Sequence, residues 1–133
     1  VSAAGRLALA GRRRAEAIMV DQCTIRPITG HGPADPDTGV VPTLYGAALY
    51  AGKCKIQTQK PFPSSPDAGE HLWTVGPLYL HLPVVGSENV ATGHEVQITA
   101  SADPANVGRI FRVKSGDRKT YATAYRPLVE EVT

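Results

Sequence analysis

Cysteine is nearly missing from this chain: Cys23 and Cys54 are the only two in 133 residues. Two thiols set no disulfide framework and lack the clustered spacing of a zinc site. Aromatic residues are also scarce, at five Tyr, two Phe and one Trp. Trp73, Tyr79, Phe111, Tyr121 and Tyr125 are scattered over three predicted strands, which argues against a stacking platform for a single nucleic-acid strand. No run of about eighteen apolar residues occurs, so no membrane-spanning helix is expected. Charge is close to balanced, with 14 Lys and Arg against 12 Asp and Glu, unlike the basic surplus of a dedicated DNA binder. The chain is instead rich in Gly and Pro, 13 and 11 of them, together about a fifth of its residues. With 42% hydrophobic residues it is too apolar to remain disordered. One turn-rich domain of short elements follows.

Charge placement says more than the total. Residues 1–26 carry five Arg against Glu16 and Asp21, a balance of +3. Residues 27–102 carry Lys53, Lys55 and Lys60 against six acids, a balance of −3. Residues 103–133 return to +2. Basic ends around an acidic middle suggest different surfaces meeting different partners.

Residues 2–19 predict the one helix, rich in Ala, Leu, Arg and Glu and capped by Ser2. Leu7, Ala10, Ala17 and Ile18 share one face, interrupted by Arg14, and Gly11 weakens the centre. Such a helix needs something to dock on. The apolar stretch Leu7–Ala10 is too short for a secretory signal and is followed by Arg12–Arg14.

From Asp21 the period switches to two: Cys23 and Ile25 alternate with Thr24 and Arg26, and Pro27 ends the run. Residues 28–43 hold three Gly and three Pro and predict a long loop or a loop-tipped hairpin. Tyr50–Thr58 alternates again, with Cys54 and Ile56 on one face. Lys60–Gly69 reads as a second long loop. Leu72–Val85 is the strongest strand pattern, with Leu78, Leu80, Leu82 and Val84 on one face and Tyr79, His81 and Pro83 on the other. Glu95–Ala100 places Val96 and Ile98 inward, and Ile110–Val113 follows. Ser115–Arg118 predicts a hairpin tip, Thr120–Arg126 a last strand, and Leu128–Val132 its extension. The expected fold is mainly β: a small barrel or sandwich of six to seven short strands (21–133) with an N-terminal helix (1–20) and two long loops.

Nothing in the sequence carries catalysis. His94-Glu95 opens like a zinc-protease helix, but Ile98 stands where the second His belongs, in a segment that alternates like a strand. His31 and His71 have no ligand at metal spacing. Asp35-Pro-Asp37-Thr-Gly39 starts like a calcium loop yet lacks the closing Glu; Pro and Gly there suit a tight turn in which an Asp bonds its own backbone. No nucleophile elbow surrounds Ser87, and Asp67 and Glu70 lie on a Pro-rich loop, a poor place to hold catalytic geometry. No catalytic residue, metal or cofactor is expected.

The order of motifs then becomes informative. An Arg-rich helix runs into Met19-Val-Asp21-Gln-Cys23-Thr-Ile25, then the Asp35–Gly39 turn, then Tyr50-Ala-Gly52-Lys-Cys54-Lys-Ile56-Gln57. Trp73-Thr-Val75 leads to the apolar-Pro run Leu80–Val85, and Asp103-Pro-Ala-Asn-Val107-Gly108-Arg-Ile-Phe111-Arg-Val113 precedes the last strand. This series resembles the small head-to-tail connector proteins, of the head-closure or stopper type, of tailed phages that infect actinobacteria. The resemblance spans nearly the whole chain and is most telling from Asp103 to Val113. It implies a small β-barrel with an attached helix. It also implies a homo-oligomeric ring, six copies or alternatively twelve, in the virion neck, assembled in the host cytoplasm. Such a ring has the portal or adaptor ring on the head side and the tail terminator or tail tube on the other. Double-stranded DNA passes through the lumen without sequence-specific contact, and no membrane is involved.

Within that frame Lys60, Phe62, Asp67 and Glu70 are the candidate channel-loop residues, because a plug with little net charge does not hold the genome by its phosphates. Arg6, Arg12, Arg13 and Arg14 are candidates for docking on an acidic neighbouring ring. Tyr79 and His81, opposite the leucines, are candidates for the subunit interface, where a closing ring needs two different faces. Uncovered strand edges and long loops are expected to supply those faces. The alternatives are an adaptor subunit that binds the portal, or an oligonucleotide-binding barrel.

Overall fold

The computed structural model describes residues 2–58 and 77–132. The helix α1 spans Ala3–Ala17. Eight strands follow: β1 Asp21–Arg26, β2 Ile28–His31, β3 Thr43–Tyr45, β4 Tyr50–Thr58, β5 Leu78–His81, β6 Glu95–Ala100, β7 Ile110–Ser115 and β8 Leu128–Glu131. Six of them close an antiparallel barrel in the order β1-β4-β5-β8-β7-β6, and β2 and β3 form a separate two-stranded arm.

The period-two patterns place the inward residues as expected except beyond His81, where β5 ends, Pro83 is buried and Val84 lies half-buried in a turn. Cys23, Ile25, Cys54, Leu80, Leu82, Val96, Ile98, Phe111 and Val113 are buried in one cluster. Burial of each such side chain is worth about 1.5–3 kcal/mol. Strand registers bring them together: Cys23 stands opposite Ile98, and Val96 opposite Phe111. Cys23 and Cys54 are free thiols, diagonal neighbours on β1 and β4, where Cys23 pairs with Gly52 and Cys54 with Asp21.

Two features depart from the expected pattern. Thr120–Arg126 is not a strand; only Tyr125 bridges to Leu82, and the final barrel strand is Leu128–Glu131. The link from β7 to β8 is therefore long rather than a tight hairpin tip. The Arg118 guanidinium holds it, lying 3.5 Å from the centre of the Tyr125 ring and donating to the Ser87 and Val90 carbonyls. Polar anchoring of this kind needs no hydrophobic alternation, so the sequence gives no sign of it. Residues 28–45 form the loop-tipped hairpin, the second of the two expected forms. Its tip is an Asx turn: the Asp37 amide donates to Asp35 Oδ1 at 2.8 Å, and Gly39 takes φ +73°, a conformation that favours glycine.

The second departure is the helix. Ser2 caps it as expected, accepting from the Gly5 amide at 3.0 Å. Its docked face is not the Leu7–Ile18 stripe. Ala8 is buried, Gly11, Arg12, Ala15 and Glu16 are half-buried, and Leu7 and Ile18 face outward at 74% and 54% exposure. The docked positions are small residues at helical spacing, which let the backbone approach the link before β8 closely. A Cβ on Gly11 would stand 2.6 Å from Thr123 Cγ2.

Candidate interaction surfaces

Strand β5 pairs with β4 so that His81 faces Lys55 and Tyr79 faces Gln57. Alternation turns Leu80 and Leu82 into the core and leaves Tyr79 and His81 half-buried on the outside. There they line an open cavity of about 440 Å³ with Gln57, Thr58, Lys119 and Arg126. A second cavity of about 500 Å³ shares Tyr79, Lys119 and Arg126 with the first and extends along the link before β8 to Tyr121 and Ser115. Tyr121 holds φ +59°, a strained conformation for a bulky residue.

Burial, then the charges of Lys55 and Arg126, push His81 down to about 4. The imidazole is therefore neutral at neutral pH and can both donate and accept. Lys55, Lys119 and Arg126 make no ion pair among the described residues. Together with Tyr79 they give the outer wall of β5 a positive groove that suits an anionic ligand or an acidic protein surface. Sequence reasoning placed Tyr79 and His81 on the outer face of this strand but did not place Lys119 and Arg126 beside them, since these reach the groove from the irregular link rather than from a strand.

The four arginines of α1 divide. Arg6, Arg13 and Arg14 are exposed. Arg12 is turned inward, its Nε donating to the Ala122 carbonyl at 2.9 Å. One turn further on, Glu16 pairs with Lys53 of β4 at 3.0 Å. Arg12 and Glu16 thus fasten the helix to the barrel. The signal in the sequence was the spacing of Ala8, Gly11 and Ala15, small residues on one face.

The arm leaves the barrel at Pro27 and returns at Gly46, whose amide donates to the Pro27 carbonyl at 2.9 Å. Arg26 stacks over the Tyr45 ring at 3.8 Å, and Glu95, opposite both Arg26 and Arg112 in the sheet, is buried on the outward side of β6. The Glu95 carboxylate pushes the Tyr45 hydroxyl up from its ordinary range. The arm is thereby fixed at its base, while Val40, Val41 and Leu44 along it are exposed. The candidate channel residues Lys60, Phe62, Asp67 and Glu70 lie outside the described residues.

Residues 11–130 match the model of a family of unknown function (DUF6093). No curated protein and no solved structure matches the chain.

Proposed function

The chain belongs to the DUF6093 family, and we propose for it a structural role in the neck of a tailed phage, as the subunit of a head-to-tail connector ring of the stopper type. The ring closes the DNA channel after packaging and offers the surface on which the tail docks. The observation that supports this best is the placement of two unlike surfaces on one small, closed barrel. A basic helix stands at the start of β1 and an acidic, apolar arm at its end. A ring subunit needs two different faces, and the closed barrel supplies a rigid spacer between them.

The experiment is deletion of the gene in a phage that carries it. Filled heads that lose DNA and fail to join tails, rescued by adding purified protein, are the expected result. Normal virions from the deletion strain would overturn the reading. An adaptor subunit, the closest alternative, would instead remain bound to purified portal in the absence of DNA.

The positive groove of Tyr79, Lys119 and Arg126 favours a second reading, an oligonucleotide-binding barrel. Salt-sensitive binding of short single-stranded DNA by a monomer, lost on Lys119→Gln with Arg126→Gln, is its test.

A further inference from the structure

We infer that the outward face of α1 is the docking surface for the β2–β3 arm of a second copy of this chain. The helix carries more apolar surface than the fold covers. Ala8, Gly11 and Ala15 meet the barrel, while Leu7, Ile18 and the following Val20 remain exposed, with Arg6, Arg13 and Arg14 around them. The arm is the counterpart in both respects. Val40 and Val41 are 62% and 50% exposed, and residues 28–45 contain Asp35 and Asp37 but no Lys or Arg.

The two surfaces cannot satisfy each other within one molecule. They emerge from opposite ends of β1, whose six residues span about 20 Å, and each is fastened to its own end. The helix is held by Arg12 on Ala122 and Glu16 on Lys53, the arm by Arg26 on Tyr45 and Gly46 on Pro27. Complementary charge and apolar surface, both carried by the same chain but out of mutual reach, fit a heterologous contact between copies. Such a contact closes into a ring when the rotation permits. The closed barrel adds a constraint, since among the described residues only the arm keeps open strand edges. The contact rests on the proposed ring for its setting, and it gives the arginines a neighbouring copy as partner in place of a neighbouring ring.

The test uses the full chain and two charge variants at exposed positions. Arg6→Glu with Arg13→Glu reverses the helix; Asp35→Asn with Asp37→Lys reverses the arm while keeping the side-chain acceptor of the Asx turn. Sedimentation velocity over a concentration series is expected to show self-association of the wild type. Each variant alone should weaken it at least about tenfold without loss of circular-dichroism signal. An equimolar mixture of the two variants should recover it, because the reversed helix of one then meets the reversed arm of the other. Variants that assemble like the wild type would overturn this contact and leave the ring standing. A wild type that stays monomeric yet rescues tail joining would likewise overturn it, giving the helix to another neck protein. Assembly that follows the charges in a protein unable to rescue tail joining would uphold the contact and sink the stopper reading.

Discussion

Gly11 and Thr123 are in such close approach that the glycine is a packing requirement rather than a flaw in the helix: any β-carbon there would stand 2.6 Å from the threonine methyl. Alanine at position 11 should favour the helix by about 1 kcal/mol from propensity alone. The overlap, at about 1–3 kcal/mol, outweighs that gain, so Gly11→Ala is expected to destabilise the chain. Thr123→Ser removes the methyl and leaves only the Cβ, 3.6 Å away. In that background Gly11→Ala should become stabilising. Denaturant melts of the four proteins in this cycle check the reversal of sign.

Arg12 and Arg13 are neighbours with opposite duties. Loss of the charged hydrogen bond to Ala122 should make Arg12→Ala cost about 1–2 kcal/mol. Arg13→Ala, at an exposed position, should stay within about 0.5 kcal/mol. The same melts distinguish them, and equal costs would mean that Arg12 does not anchor the helix.

His81 should make the fold acid-sensitive. Its folded value of about 4 lies below its ordinary 6.5, so below pH 6.5 the unfolded chain takes up a proton that the folded chain refuses. Stability therefore falls as pH drops from about 6.5 to about 4. The groups facing the ring are Lys55, Lys119 and Arg126, with Tyr79 beside it on β5. His81→Gln is expected to flatten this part of the profile, leaving the contribution of the carboxylates. Ring-proton chemical shifts followed through the titration give the midpoint directly.

Cys23 and Cys54 should be chemically silent in the folded protein. The adjacent Cys54 thiol and burial push Cys23 up from its ordinary value, and both side chains are buried. Alkylation by iodoacetamide, read by mass spectrometry, should leave both unmodified in buffer and label both in guanidinium. Rapid labelling of the native chain would mean that the β1–β4 pair opens locally.

The barrel was legible because its strands alternate cleanly. Cys23 and Ile25, Cys54 and Ile56, and Val96 and Ile98 each face inward as their period of two requires. The helix was legible as an element, from Ser2 and its Ala-rich composition, but its orientation was not. Hydrophobicity points to Leu7 and Ile18, whereas contact distance selects Ala8, Gly11 and Ala15, and a hydropathy pattern does not record how closely two backbones approach. The link before β8 was misread as a strand because Thr120–Arg126 has strand-forming residues; Arg118, bonded to carbonyls some 28 to 31 positions earlier in the chain, fixes it instead. The same long-range placement brings Lys119 and Arg126 to Tyr79 and His81.

Strand β1 carries the helix on one end and the arm on the other, with Ile18–Val20 and Pro27 as the only connecting residues. Both of its neighbours in the barrel, β4 and β6, are hydrogen-bonded along its length. No hinge therefore separates the two surfaces. The angle between them is a property of the barrel wall, and a partner seated against one surface meets a body whose other surface is already aimed. Curvature in any assembly built from these surfaces would be inherited from strand twist and tilt, and loop length would have little say in it.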